Sequence, residues 1–168
     1  MIEKNVAHPT RQSRTFLTDL VFPPDTNHHN TIFGGKVMAY VDKIACISAM
    51  RHCRKPVVTA SSDSFDFLAP IKTGDAINLE AYVTCAHRTS MEVFVKVERE
   101  NLLTGEKQLT ARAFLTMLAI DEEGKPTNVP QVIRKRKRKN SNMFKPKLDI
   151  SKERKNGTKQ KPLQHECC

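Results

Sequence analysis

The side chains most suited to chemistry cluster between Pro23 and His52, in the stretch PPDTNHHNTIFGGKVMAYVDKIACISAMRH. Asp42 is a carboxylate that can act as a general base or a nucleophile where its surroundings are apolar. Gly34 and Gly35 open a helical pattern, and the N–H groups at a helix start are suited to stabilising negative charge on a ligand oxygen. The simpler interpretation makes Asp42 a solvated or arginine-paired charge and the glycines an aid to close packing. This stretch alone leaves both interpretations open.

A long amphipathic helix must position these groups. The run from Gly35 to Lys55 contains no proline and no further glycine. Its apolar residues recur at the spacing of one helix face; they are Val37, Met38, Val41, Ile44, Ala45 and Ala49. Asp42 follows Gly35 by seven positions, close to two turns, so it lies roughly in line with the helix start. The pattern predicts a carboxylate at the edge of the apolar face, below the two glycines.

Five strand patterns accompany this helix. Thr15–Phe22 precedes it, and Val57–Leu68 follows it with an imperfect alternation that predicts a bulge. Three later stretches alternate regularly and share one face: Ile77, Leu79, Ala81, Val83 and Cys85; then Met91, Val93, Val95 and Val97; then Leu109, Ala111, Ala113, Leu115, Met117 and Ala119. Because short turns join them, we expect antiparallel hairpins. The predicted class is α+β, with one helix on a five-stranded antiparallel sheet.

Several spaced motifs together resemble the hotdog-fold acyl-CoA thioesterase (acyl-CoA hydrolase) family. In chain order they are Asp25-Thr26-Asn27, Phe33-Gly34-Gly35 with Asp42, FLAPIKTGD at 67–75, His87-Arg88-Thr89-Ser90, and PTNVP at 126–130. The resemblance covers residues 14–130, which we take as the domain. Residues 1–13 are then a flexible N-terminus and residues 131–168 a flexible basic tail. The resemblance implies a hotdog fold, in which the sheet wraps the long helix.

The resemblance also implies roles for the site residues. Asp42 is the expected catalytic carboxylate, either as general base for water or as a direct nucleophile. Asn27 is expected to help hold the attacking water or the carbonyl, with an Asx turn as its simpler alternative. The amides of Gly34 and Gly35 are our candidates for the oxyanion contact that polarises the carbonyl.

The turn formed by Arg88, Thr89 and Ser90 is the candidate CoA-binding element. Guanidinium and hydroxyl donors suit the phosphate or pantetheine groups of CoA. An ordinary polar turn is the alternative.

The expected reaction is hydrolysis of an acyl-CoA to a free acid and CoA. It requires no metal and no cofactor, since CoA is part of the substrate and product. Ser61, Ser62 and Ser64 lie in a strand pattern rather than on a nucleophile elbow, and no histidine supports a hotdog dehydratase. The alternative is a non-catalytic acyl-CoA or nucleotide sensor of the same fold, with the basic tail as its effector.

The charge of the chain is unevenly distributed. The 168 residues carry a formal net charge of +10. Residues 131–168 hold 13 Lys/Arg and 3 Asp/Glu, whereas residues 1–130 hold 15 of each. The folded part therefore gives no support to a nucleic-acid partner. The cation run at 134–139 is typical of a solvated tail; an anchor for nucleic acid, an anionic membrane or an acidic partner is the alternative.

The sequence also favours a cytoplasmic location. No apolar stretch is long enough to span a membrane, and Met1–Arg14 lacks the apolar core of a secretory signal. The five cysteines match neither a disulfide framework nor a zinc site; they are Cys46, Cys53, Cys85, Cys167 and Cys168. Reduced cysteines are usual in cytosolic proteins.

Self-association is expected from the surface that one sheet leaves uncovered. The face opposite the helix carries Tyr82, Phe94, Phe114 and Leu118, and a monomer would also leave its edge strands unpaired. The resemblance implies a homodimer, often repeated as a trimer of dimers, with Asn27 and Asp42 of one site supplied by different chains. We therefore expect a homohexamer.

Overall fold

The computed structural model describes residues 7–133. In chain order, these residues form β1 (Ala7–Pro9), α1 (Thr10–Ser13), β2 (Thr15–Leu20), a 3-10 turn (Pro23–Asp25), α2 (Gly34–Cys53), β3 (Val57–Phe67), β4 (Ala76–Ala86), β5 (Ser90–Glu100), β6 (Lys107–Ala119) and β7 (Gln131–Ile133). The tail from residue 134 onward, including the cation run, lies outside the described residues.

One antiparallel sheet is built from five of these strands in the order β2-β4-β5-β6-β3. Helix α2 packs against all five strands. The expected α+β hotdog arrangement, with one long helix and a five-stranded antiparallel sheet, is confirmed. β2 and β3 are the two edges, and most side chains of β3 are exposed in the single chain.

The core lies between α2 and the sheet. The helix buries Val37, Val41, Ile44, Ala45 and Ala49, as its apolar spacing predicted. Met38, placed on the same face by the sequence, is 47% exposed. The helix ends at Cys53 because Arg54 adopts a left-handed conformation and donates its amide to the Met50 carbonyl.

Bulges shift the register of three strand pairings, β3–β6, β4–β5 and β5–β6. The irregularity predicted in β3 is present, with shifts between Thr59 and Ser61 and between Ser62 and Ser64. The prediction that Leu109 shares the buried face of β6 is wrong: Leu109 is 40% exposed and Thr110 is buried. The β5–β6 register shifts next to Leu109, between Val97 and Glu98 of β5. An extra residue at such a bulge reverses which side chains face the core.

The segments before and after the predicted domain pack together. β1 pairs in parallel with β7, which extends the ordered domain beyond the predicted limits of 14 and 130. Ser13 is fully buried, and its hydroxyl accepts a hydrogen bond of 2.9 Å from the Val83 amide. Residues 7–13 therefore form structure where the sequence predicted a flexible terminus, because a long-range contact orders them.

His52 connects these terminal segments to α2. Its ring Nε2–H donates to the Pro130 carbonyl at 2.9 Å, and His8 Nδ1–H donates to the His52 carbonyl at 2.7 Å. The His52 ring is fully buried, and its Nδ1 has no hydrogen-bond partner among the described residues. A second proton on this ring would therefore need an acceptor that the core does not supply.

The protein is expected to become less stable as the pH decreases, because His52 is buried. Burial lowers the pKa of His52 below its ordinary value, with nearby His8 lowering it further and the Pro130 hydrogen bond opposing. His52 therefore binds a proton more readily in the unfolded state than in the folded state. Its contribution to stability is complete above the pKa of the unfolded state and is lost as the pH decreases below that pKa. Urea unfolding at fixed protein concentration should show a steeper loss of stability below about pH 6.5 in the wild type than in His52→Leu. An equal slope in the two proteins would contradict this role, and His87→Leu, in an exposed turn, is the matched control.

Candidate active site

Asp42 and Thr59 form a hydrogen-bonded pair between the helix and an edge strand. The Thr59 hydroxyl donates to Asp42 Oδ1 at 2.5 Å and lies 3.6 Å from Met117 Sδ. Thr59 is opposite Met117 in the β3–β6 register. Asp42 and Thr59 are both exposed, so residues 7–133 of one chain do not desolvate the carboxylate.

Thr59 was missed as a site residue in the sequence. A signal was present: the alternation of the second strand pattern places Thr59 on the same face as Val57, Phe65 and Phe67. A polar residue on a face that also carries apolar residues is a candidate for a hydrogen bond to the packed element. The partner is Asp42, 17 positions earlier in the chain.

Asn27 forms an Asx turn in the loop that leads into α2. Its side-chain oxygen accepts hydrogen bonds from the His29 amide at 2.8 Å and the Thr31 hydroxyl at 3.2 Å. Its side-chain nitrogen is 3.0 Å from the same hydroxyl. The Asx turn, which was the simpler alternative for Asn27, is therefore present in the single chain. Within residues 7–133, every side-chain hydrogen bond of Asn27 stays inside its own loop, and none reaches Asp42.

Gly34 and Gly35 form the first turn of α2, as predicted. The helical hydrogen bonds begin after them, where the amides of Lys36 and Val37 donate to the Phe33 carbonyl at 3.0 and 3.1 Å. The two glycine amides are thus orphan donors at a helix start, where the macrodipole favours negative charge. Asp42 follows Gly35 by seven positions, which is roughly 10 Å of backbone along the helix. The glycine amides and the carboxylate of one chain therefore belong to helix positions about two turns apart.

The two glycines differ in their surroundings. A Cβ at Gly34 would lie 3.3 Å from Phe67 Cζ, so the missing side chain lets this ring lie over the helix start. A Cβ at Gly35 would meet no atom within 4 Å. Packing inside this chain therefore explains why position 34 is glycine. It does not explain position 35, where alanine would fit and would favour the helix by about 1 kcal/mol.

A cavity of about 160 Å³ adjoins this helix start. It is lined by Thr31, Ile32, Gly34, Val37, Phe67, Ala69, Pro70, Ile71, Thr110 and Ala111. The lining combines the loop before α2, the first turn of α2, the end of β3 with the turn after it, and β6. The cavity offers an apolar space directly beside the orphan amide of Gly34.

The turn with Arg88, Thr89 and Ser90 connects β4 and β5. The Arg88 carbonyl accepts the Val129 amide at 3.0 Å, and the Thr89 carbonyl accepts the Ala119 amide at 3.0 Å. These bonds fix the backbone of the turn, while the Arg88 side chain is exposed. Ser90 is paired with Leu118, next to the Met117 that contacts Thr59. The turn therefore lies at the same end of the sheet as Asp42.

Cys46 lies one helical turn after Asp42. Burial raises the pKa of its thiol, and the nearby Asp42 carboxylate raises it further. Cys46 is therefore protonated at neutral pH and is a poor nucleophile or base. Asp42 is therefore a better candidate than Cys46 for the reacting side chain on this flank of the helix.

No group of three or more His, Cys, Asp or Glu side chains between residues 7 and 133 could hold a metal ion. In the same part of the chain, no helix is both long and apolar enough to cross a bilayer.

Comparisons with known proteins agree on one family. Residues 29–106 match the thioesterase superfamily. The chain is 57% identical over 123 residues to the uncharacterized acyl-CoA thioester hydrolase YkhA of Bacillus subtilis (strain 168), an alignment that covers 73% of this chain and 72% of that protein. The crystal structure of an apo-hexameric acyl-CoA thioesterase is 56% identical and superposes with a TM-score of 0.77, over 78% of this chain and 84% of the other.

A third relative adds site information. The acyl-CoA hydrolase of Staphylococcus aureus, solved with butyryl coenzyme A, coenzyme A and coenzyme A disulfide, is 45% identical with a TM-score of 0.75, over 78% of this chain and 80% of that one. Alanine variants of its aspartate, asparagine and threonine have been solved as well. There the asparagine precedes the aspartate by 15 positions and the threonine follows it by 17; Asn27, Asp42 and Thr59 have the same separations. The chain belongs to the hotdog-fold acyl-CoA thioesterase family of thioester hydrolases.

Proposed function

We propose that this protein hydrolyses acyl-CoA to a free acid and CoA, with Asp42 as the catalytic carboxylate. The observation that carries the proposal is the Asp42–Thr59 pair, whose spacing matches the residues replaced in the S. aureus acyl-CoA hydrolase. The reaction uses the chain's own groups and water, and CoA enters as part of the substrate.

Asp42 acts on the attacking water or on the carbonyl itself. As a general base it takes a proton from water while the water oxygen bonds to the carbonyl carbon; the C–S bond then breaks and the CoA thiolate leaves and is protonated. As a nucleophile it attacks the carbonyl carbon and expels the CoA thiolate, which is protonated; water then hydrolyses the resulting mixed anhydride to the free acid and restores the carboxylate. In both routes Thr59 occupies Oδ1 and orients the carboxylate, so Oδ2 faces the reacting atom.

A second subunit completes the site. The amides of Gly34 and Gly35 belong to helix positions about two turns from Asp42 of the same chain, and we assign the oxyanion contact and the carboxylate to different chains. Asn27 belongs to the same helix-entry region as the glycines and acts with them on the carbonyl or the water. The exposed edge of β3, which carries Thr59, is the surface available for pairing two sheets. We assign a homodimer as the functional unit and a trimer of dimers as the assembly; the hexameric state of two relatives supports this.

The CoA moiety is held by the turn after β4. Arg88, Thr89 and Ser90 supply a guanidinium and two hydroxyl groups for phosphate or pantetheine oxygens. The hydrogen bonds from Val129 and Ala119 keep the turn backbone in place, so binding orders mainly the side chains. None of the described cysteines Cys46, Cys53 and Cys85 forms a disulfide bond, which supports a cytoplasmic location.

Release of thiol from acyl-CoA tests the proposal. The purified protein should release CoA from a panel of acyl-CoA substrates, read with a thiol reagent, well above the rate of its Asp42→Ala variant. Binding of CoA without thiol release above that background would overturn hydrolysis in favour of the acyl-CoA or nucleotide sensor.

Removing the Thr59 hydroxyl is expected to lower kcat. Thr59→Val keeps the shape but loses a hydrogen bond to a charged group, which corresponds to about a 10- to 100-fold decrease. Thr59→Ser keeps the donor and should retain most of the activity. Activity that is kept in Thr59→Val but lost in Thr59→Ser, at the same melting temperature, would show that the methyl group, not the hydroxyl, is needed.

Gly35→Ala is expected to stabilise the fold and impair the reaction. The new methyl group meets nothing within 4 Å in the chain, and the gain in helix propensity should raise Tm by about 2–6 °C. The same methyl group would occupy the space beside the amide that the thioester oxygen approaches, so kcat/KM should fall. Gly124→Ala is the matched control: its φ of +76° makes alanine strained, so Tm should fall while hydrolysis is kept. A lower Tm with unchanged kcat/KM for Gly35→Ala would mean that a partner subunit, not substrate, fills this space.

A further inference from the structure

The cavity beside Gly34 is lined mainly by hydrocarbon, and its side-chain polar groups are all hydrogen-bonded. Of its two polar lining residues, Thr110 donates its hydroxyl to the Val97 carbonyl at 3.1 Å. Thr31 is hydrogen-bonded through its side chain to Asn27. The other lining residues are aliphatic, aromatic, proline or glycine. A space of this kind suits an apolar group and would bind a sugar or a phosphate poorly.

The cavity starts where the thioester carbonyl must lie. Gly34 lines it and also offers one of the two orphan amides. A carbonyl oxygen held at these amides directs its acyl chain either toward solvent or into the adjoining apolar space. The apolar space is favoured, because each buried methylene contributes about 0.8 kcal/mol.

We propose that this cavity is the acyl-chain pocket of the enzyme, with Phe67 and Ala69 setting the chain length that it accepts. The inference rests on the proposed acyl-CoA hydrolysis and adds the substrate class to it. A dry cavity of about 150 Å³ holds a benzene ring, and the present cavity of about 160 Å³ is the same size. It therefore accepts roughly six carbons, which corresponds to short and medium acyl chains.

Phe67 and Ala69 bound the pocket in different ways. The Phe67 ring lies over Gly34 and is 55% exposed, so it separates the pocket from solvent without being part of the buried core. It also contacts the Phe65 ring, with the centroids 4.6 Å apart and the ring planes tilted by 36°, which holds the ring in place. Ala69 is half-buried, and its small side chain leaves room that a leucine would fill.

The test is the chain-length profile of kcat/KM for acetyl-, butyryl-, hexanoyl-, octanoyl-, dodecanoyl- and palmitoyl-CoA. The wild type should be most active between butyryl- and octanoyl-CoA. Ala69→Leu should lower the ratio of the hexanoyl to the acetyl value by about tenfold or more, since each methylene that no longer fits is worth a factor of 10 or above. Phe67→Ala, which opens the pocket, should raise the ratio of the dodecanoyl to the hexanoyl value.

Leu103→Ala is the matched control, because Leu103 is 98% exposed in a distant turn and its variant should keep the wild-type profile. Folding and oligomer size are measured for each variant; if Ala69→Leu does not fold, Phe67→Ala decides. Hydrolysis with both ratios unchanged, or a wild-type maximum at palmitoyl-CoA, would overturn the pocket assignment and leave the hydrolase intact. No thiol release from any member of the panel would overturn both.

Discussion

Replacing Asp42 by asparagine is expected to lower kcat for acyl-CoA hydrolysis by about 10²- to 10⁴-fold, the usual contribution of a positioned general base. Asparagine keeps the shape of the side chain, and its carbonyl oxygen can still accept the Thr59 hydroxyl. It can neither take a proton from water nor form an anhydride. The loss should therefore appear in kcat, measured by thiol release at saturating substrate, with KM little changed.

The control for this substitution is Glu123→Gln, which removes a carboxylate from an exposed turn where it pairs only with Lys125 at 3.8 Å. Its kcat should stay within about twofold of the wild type, because exposed pairs of this kind contribute little. Asp42→Ala should resemble Asp42→Asn in kcat. If Asp42→Asn folds, assembles and hydrolyses acyl-CoA at the wild-type rate, Asp42 is not the catalytic carboxylate.

Mixing two inactive variants is expected to restore activity. If Asn27 and Asp42 of one site come from different chains, a dimer of one Asn27→Ala and one Asp42→Ala subunit contains one intact site and one doubly altered site. Half of the dimers in an equal, fully exchanged mixture are mixed, so about a quarter of all sites are intact under two-fold symmetry. Thiol release should thus reach about a quarter of the wild-type rate, although each variant alone is nearly inactive.

Subunit exchange has to be verified in the same experiment, for example by mass measurement of differently tagged chains. Two batches of the same variant, mixed in the same way, are the control and should stay inactive. No recovery despite verified exchange would show that each site is built within one chain. A monomeric mass in solution would contradict the oligomer itself.

The sequence alone determined the elements and the place of Asp42 on the helix. Helical spacing from Gly34 onward and the regular alternation in the later strands are local properties, and burial against a single core preserves them. The two glycines at the helix start and the carboxylate two turns later follow from that spacing as well. The bulge in β3 was also visible, because its alternation breaks within the strand itself.

The tertiary structure decided which residues meet. Thr59 reaches Asp42 only because β3 is an edge strand beside α2 and its bulges set which side chains face the helix. Thr110 is buried in place of Leu109 for a similar reason. The register shift between β5 and β6 that causes this cannot be read from the sequence alternation of β6. Residues 7–13 become ordered through contacts with residues far along the chain, such as Val83 and His52. Such long-range pairings depend on strand register and loop closure, which local sequence patterns do not encode.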